Sequence, residues 1–311
     1  MANLILTSKC QRNCPYCFAP KKGEELNWNN FYKIAEFLSR EPKMPYMNFL
    51  GGEPTLHPDY LDFLKFAVSE KFIVNTFTNG IIEESLLREI EELGSRTNWA
   101  NFNFLINVND AELRTEKEEV ALDRTLKALH KASSIGYNIH DVDCDLNFLL
   151  DMMLKYRTQP TLRLGIAHPN KDKTNKFLTF EDCRKVRKAI VDITNKRRVM
   201  EANLVFDCGF PLCMFSEEDI GKLYLSPTTG INFGCRPAVD IFPDLTVAPC
   251  YPFVDERVNL LDFKNYAELD EYLSKALASK NCILEMCDKC WFLGRLCSGG
   301  CKAHRINKPP I

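Results

Sequence analysis

Three cysteines stand close together near the start of the chain, in the run Lys9-Cys10-Gln11-Arg12-Asn13-Cys14-Pro15-Tyr16-Cys17-Phe18. The spacing is Cys-x3-Cys-x2-Cys, with an aromatic residue just before the third cysteine. Thiolate is the ligand that iron–sulfur clusters use, and three thiolates in one loop can hold three irons of a cubane. No fourth Cys or His stands nearby, so one iron stays open, and an open metal position is where a substrate or cofactor binds. A structural zinc knot is the alternative, although it ordinarily closes four ligands around its ion.

A second stretch, Met47-Asn48-Phe49-Leu50-Gly51-Gly52-Glu53-Pro54, ends an apolar run. Glycines let a backbone come close to a ligand, and a carboxylate suits an ammonium. The two stretches together resemble the radical S-adenosylmethionine (SAM) superfamily. The resemblance implies a [4Fe-4S] cluster on Cys10, Cys14 and Cys17 with SAM on its open iron. It also implies that Gly51, Gly52, Glu53 and Pro54 close the second barrel strand and bind SAM, with Glu53 meeting the amino group. The fold it implies is a partial (β/α)6 parallel barrel.

The positioning elements can be read from periodicity. Leu4 to Thr7, Met47 to Leu50, Phe72 to Phe77 and Asn103 to Val108 read as strands. Trp28 to Leu38, Tyr60 to Val68 and Glu83 to Leu93 carry helix-spaced apolar residues between them. A helix is expected from Glu118 to Ile135, stopped by Gly136, then a fifth strand from Ile139 to Leu149 and a sixth from Thr161 to Ala167. Thr179 is expected to cap a helix from Phe180 to Asn195, with Asp182 in the capping-box position. Alternating β and α means a parallel sheet with crossover helices, and the site of such a barrel lies at the C-terminal ends of its strands. Both motifs fall there.

From about residue 200 the chain changes character. Nine of the fourteen cysteines lie between Cys208 and Cys301. A hairpin is expected at Val239 to Phe242 and Leu245 to Ala248 around Pro243-Asp244, followed by an amphipathic helix from Tyr266 to Lys280. We therefore expect a barrel over 1–199 and a small cysteine-rich domain over 200–311. Cys235-x14-Cys250, then Cys287-x2-Cys290-x6-Cys297-x3-Cys301, resembles the SPASM extension of radical SAM enzymes, which holds auxiliary [4Fe-4S] clusters. The middle gap is six residues where the family has five, and no counterpart of the family's final cysteine follows. The resemblance implies one cluster on Cys213, Cys235, Cys250 and Cys301, and another on Cys282, Cys287, Cys290 and Cys297, with Cys208 an extra candidate. A single auxiliary cluster and a zinc ribbon are the alternatives.

Charge is nearly balanced, 40 basic against 42 acidic residues, which gives no case for nucleic acid as a partner. No signal peptide opens the sequence and no apolar run has the length of a membrane span, so the cysteines read as metal ligands in a reducing cytoplasm. Cys144 and Cys183 read as ordinary small apolar residues. Asn107 and Asn109 are candidates for SAM's ribose or carboxylate. Arg163 and His168 lie at the end of the sixth strand, where Arg163 either holds a carboxylate or makes a structural ion pair. Asp141, Asp143 and Asp145 would give the fifth strand an acidic face toward the barrel cavity. His57 reads as shaping a loop, and Lys21-Lys22 as a solvated loop. The catalytic acid or base is not identified.

The expected activity is reductive cleavage of SAM and hydrogen abstraction from a substrate. The resemblance to SPASM proteins implies a peptide or protein side chain, to be crosslinked, oxidised or epimerised. Tyr251 follows Cys250 where sulfatase maturases carry an Asp, which argues against that activity. No peptide-recognition domain precedes Cys10, so a separate recognition protein is expected for a leader peptide, together with an external flavodoxin- or ferredoxin-type electron donor. Dehydrogenation or epimerisation of a small molecule is the competing reading. An iron–sulfur electron carrier is the alternative from another class.

Overall fold

The computed structural model describes residues 2–19, 23–41, 45–97, 99–197, 202–224, 229–230, 233–280 and 282–305. Lys21-Lys22 and the expected division at 199/200 lie outside them. In chain order the elements are β1 (Ala2–Thr7), α1 (Trp28–Ser39), β2 (Tyr46–Gly51), α2 (Tyr60–Ser69), β3 (Ile73–Thr78), α3 (Glu84–Arg96), β4 (Phe102–Asn107) and α4 (Glu116–Ala128). Then come β5 (Ser133–Ile139), α5 (Asn147–Tyr156), β6 (Thr161–Ile166), α6 (Phe180–Arg197), β7 (Asn203–Phe206), α7 (Glu217–Tyr224) and β8 (Thr229–Gly230). The chain closes with β9 (Asp240–Ile241), β10 (Thr246–Ala248), β11 (Val258–Asn259) and α8 (Tyr266–Ala278). Strand and helix alternate six times from β1 to α6, the order of a partial (β/α)6 barrel and the α/β class that the pattern predicts.

The chain packs as two compact units: Met1–Cys14, Ala19–Ser134 and Pro237–Ala276 form the first, and Pro15–Phe18, Ile135–Arg236 and Leu277–Ile311 the second. In the first unit the strand order is β11-β10-β9-β1-β2-β3-β4. β9 and β1 to β4 are parallel, and the β9–β10 hairpin is antiparallel, as its turn signal predicts. Asn27 caps α1 by accepting from Asn30 N, and Phe31, Ile34, Ala35 and Leu38 form its buried stripe. Phe31 stacks on Phe63 of α2 at 4.2 Å between centroids. Each such fully buried ring contributes about 1.5–3 kcal/mol.

A row of side chains crosses this sheet in register. Asn75 Nδ2 donates to Asn48 Oδ1 (3.0 Å), Asn48 Nδ2 to Asn3 Oδ1 (2.9 Å), and Asn3 Nδ2 to Asp240 Oδ1 (2.7 Å). The same residues are paired across the strands. The buried Asp240 is the terminal acceptor, so β9 joins β1 through side chains as well as backbone.

In the second unit β5, β6, β7 and β8 are parallel and in that order. Thr179 and Asp182 exchange the hydrogen bonds of the expected capping box at the start of α6. The expected fifth strand is displaced. α4 stops at Ala128 and β5 already starts at Ser133, so Gly136 lies inside a strand, paired with Arg163, instead of ending a helix. Asp141, Asp143 and Asp145 are in the loop after it and form no strand face. Asp141 pairs with Lys176, and Asp145 accepts from Asn147 N at the start of α5. Short carboxylates favour such turn contacts over a strand. Cys144 sits in the same loop, whereas Cys183 is buried on α6. Among the described residues, no helix is long and apolar enough to cross a membrane.

Candidate functional site

In the first unit, Cys10 and Cys14 follow β1, Gly51-Gly52-Glu53-Pro54 ends β2, Asn79 follows β3, and Asn107 ends β4. All stand at strand C-terminal ends. Gly52 N donates to Thr7 O and Glu53 N to Lys9 O, both at 2.8 Å, so the glycine segment lies directly on the start of the cysteine loop. A Cβ on Gly51 would stand 2.2 Å from Thr7 O, and one on Gly52 2.3 Å from Lys9 O. Gly51 also has φ +141°. The glycines are required by the close approach of two backbones, a nearer cause than approach to a ligand.

Donors meet the cysteine sulfurs. Asn109 Nδ2 lies 3.3 Å from Cys14 Sγ, Arg12 N 3.4 Å from Cys10 Sγ, and Asn79 Nδ2 3.8 Å from Cys10 Sγ. Hydrogen bonds to thiolate sulfurs stabilise negative charge and raise a cluster's potential. The Oδ1 atom of Asn107 is buried and has no hydrogen-bond partner among the described residues. An orphaned acceptor at a strand end suits an incoming donor. Cys17 belongs to Pro15–Phe18 of the second unit. There Lys176 N donates to Pro15 O, Asn175 Nδ2 donates to Tyr16 O, and the rings of Tyr16 and His140 lie 4.5 Å apart.

Glu53 is fully buried. Its Oε1 accepts from Thr55 N (3.2 Å), Thr55 Oγ1 (2.8 Å) and Thr78 Oγ1 (2.8 Å), and its Oε2 accepts from Asn79 N (2.8 Å). Burial pushes its pKa up against these donors. The carboxylate thus ties the end of β2 to the end of β3, and Pro54 opens the single helical turn that it caps. His57 is likewise spent on structure: its Nε2 donates to Leu26 O, and its Nδ1 accepts from Asp59 N.

Arg12, inside the cysteine loop, is buried and reaches Glu118 of α4 at 3.0 Å. Glu118 also completes the capping box with Thr115. Burial pushes Glu118 up, but the Thr115 amide and the Arg12 guanidinium outweigh it and hold its carboxyl below the usual range. A folded pKa below the unfolded one gives stability that is present above the unfolded value and lost as pH falls through the folded value. Glu118→Gln should therefore flatten the loss of stability below about pH 4. Acid unfolding followed by circular dichroism checks this, and identical acid limbs in variant and parent would sink it. Nothing local marks this pair in the sequence.

In the second unit, Arg163 pairs with Asp207, so the structural ion pair is what forms. Cys213, Cys287, Cys290 and Cys297 line one cavity of about 190 Å3 with Leu212, Phe215, Ile220, Phe292, Leu293 and Gly299 among its walls. Burial holds the thiol of Cys208 well above its usual pKa. Burial pushes Cys301 up to about 12 and Cys235 to about 11. Gly209, at φ +92°, packs so closely that a Cβ would stand 2.3 Å from His168 Nε2 and 3.0 Å from Cys301 Cβ. His168 is buried there, its Nε2 against Cys208 O and its Nδ1 without a partner among the described residues.

Cys282 is buried, with Lys302 Nζ donating to its sulfur at 3.3 Å, and it is not a wall of the cavity. Cys250 follows β10 in the first unit, beside the buried Tyr251. Among the described residues, no three His, Cys, Asp or Glu side chains close around a single metal ion. A cubane spreads its thiolates over a larger body than one ion, and four thiols bordering one void have the chemistry of such a donor set.

Residues 4–144 match the Radical SAM superfamily. Over 146 residues the chain is 34% identical to 7,8-dihydro-6-hydroxymethylpterin dimethyltransferase of Methanocaldococcus jannaschii, covering 44% of this chain and 28% of that protein. The chain spans about a quarter to a half of the length of the first curated relatives it matches. Among solved structures it resembles anSMEcpe with bound AdoMet (TM-score 0.69, 20% identity, 100% of this chain and 92% of that one). It also resembles Streptococcus suis SuiB bound to the precursor peptide SuiA (TM-score 0.66, 17% identity, 98% and 72%). At these identities the likeness is one of fold.

Proposed function

On the premise that this chain carries a radical SAM superfamily domain over residues 4–144, we propose that it is a radical SAM enzyme acting on a peptide or protein side chain. The [4Fe-4S] cluster with SAM supplies reductive cleavage to a 5′-deoxyadenosyl radical, which takes a hydrogen atom from the substrate. Cys10, Cys14 and Cys17 hold that cluster, three ligands of one short loop. Asn109 and Asn79 donate to the sulfurs of Cys14 and Cys10. Gly51, Gly52, Glu53 and Pro54 fix the backbone beside the loop, and Asn107 offers its orphaned oxygen to a donor group of SAM. The observation that carries this reading is the paired backbone contact of Gly52 with Thr7 and Glu53 with Lys9, which joins the two motifs into one site.

Residues 1–199 then serve as the barrel and 200–311 as the domain of two auxiliary [4Fe-4S] clusters. A peptide substrate is supported by the likeness to SuiB, which was solved with its precursor peptide. A cytoplasmic setting, an external flavodoxin- or ferredoxin-type donor and a separate recognition protein belong to the same reading. A small-molecule substrate is the second reading, favoured by the match to a pterin dimethyltransferase. The test is anaerobic incubation of reconstituted protein with dithionite and SAM. It should carry about twelve irons, four for each of three cubanes, and release 5′-deoxyadenosine. Iron without SAM cleavage would leave an electron carrier and sink the proposal.

A further inference from the structure

We infer that Cys213 completes the ligand set of Cys287, Cys290 and Cys297, and that Cys208 takes the upstream place beside Cys235 and Cys301. This rests on the reading that the C-terminal region holds auxiliary clusters. It exchanges two ligands relative to the assignment implied by resemblance, and it leaves Cys282 outside both sets.

The cavity carries the argument. Cys213 sits on a single helical turn, Leu212–Met214, while Cys287 belongs to the turn Glu285–Lys289 and Cys290 follows it directly. Together with Cys297 they wall the same void, and the other named walls are mostly Phe, Leu and Ile. Cys213 and Cys290 are exposed while Cys287 is buried, so the pocket opens to the surface, and four thiols on one pocket otherwise walled by apolar side chains have the chemistry of a cluster's donor set.

Cys208 belongs elsewhere. Gly209, next in sequence, holds that turn so close to Cys301 that a Cβ on the glycine would stand 3.0 Å from Cys301 Cβ. Cys282 has a different partner. Lys302 is buried and donates to its sulfur, and a buried ammonium needs such an acceptor. A Cβ on Gly299 would stand 2.4 Å from that sulfur, so the glycine keeps the place clear for Cys282 beside the cavity wall. A ligand from before α7 also staples that segment to the C-terminal loop when metal binds.

The test uses the full chain with Cys10, Cys14 and Cys17 changed to Ala, so that only auxiliary iron is counted. That protein should hold about eight irons. Adding Cys282→Ala should keep about eight and leave the electron paramagnetic resonance spectrum of the reduced clusters in place. Adding Cys213→Ala should drop the count toward about four, by the same four-iron unit, with the signal of one cluster lost and the other unchanged. Cys213→Ser, which keeps an oxygen ligand at a partly exposed position, should retain iron and shift one of the two signals. The reverse pattern, with Cys282→Ala losing the cluster and Cys213→Ala sparing it, overturns the exchange. A background holding about four irons or fewer overturns the two-cluster reading itself, and this proposal with it.

Discussion

Changing Cys10, Cys14 and Cys17 together to Ala should remove about four irons and all formation of 5′-deoxyadenosine. On the proposed reading these thiolates hold the cluster of the N-terminal loop, and no other side chain near them in sequence can replace three at once. The donors around them, Asn109 at Cys14 and Asn79 at Cys10, are placed for thiolate sulfur and have no use for alanine. The loop itself should survive, because Arg12 still reaches Glu118 and the glycine segment still lies on Thr7 and Lys9. On the same reading the auxiliary iron should remain, since its proposed ligands lie from Cys208 onward. Iron analysis and chromatography of the anaerobic reaction measure both effects. Continued SAM cleavage by the triple variant would end the radical SAM assignment of this loop.

What was legible was local. Three cysteines within one loop carry their own geometry, and helix spacing with a cap at Thr179 marks α6 without reference to any other element. The hairpin at Pro243-Asp244 was also legible, because its turn residues are adjacent. What the spacing could not show was long-range. Nothing near Asp240 announces that it accepts from Asn3 and sets β9 beside β1. The pair of Arg12 and Glu118 joins residues from a loop and a distant helix. Gly136 misled because glycine ends helices and also fits strands, and only pairing with Arg163 decides between the two. Gly51 and Gly52 stand out in the sequence, but nothing there shows that the backbone at Thr7 to Lys9 lies where a Cβ would stand. The proposed auxiliary ligands divide on the same line, since the spacing of Cys208 and Cys213 holds no information about which cysteines they face.

Glu53 separates two physical roles with a measurable difference. A carboxylate held ready for the amino group of SAM would matter only when SAM is present. The carboxylate observed already accepts four hydrogen bonds inside the protein, from two backbone amides, of Thr55 and Asn79, and two hydroxyls, of Thr55 and Thr78. Glu53→Ala strips all four. The hydroxyls can turn to other acceptors, but the amides cannot, and an unsatisfied buried amide costs about 1–3 kcal/mol. The folded chain should therefore lose about 2–6 kcal/mol without any SAM, read as a lower urea midpoint. Glu53→Gln should lose less, because its carbonyl still serves one side while its amide opposes the Asn79 N–H. Both variants should also weaken SAM binding, through Asn79 and the turn that follows β3. If both kept the parent's urea midpoint while SAM affinity fell about tenfold, a loss of about 1.4 kcal/mol, Glu53 would be a direct ligand of the cofactor and not the tie between β2 and β3.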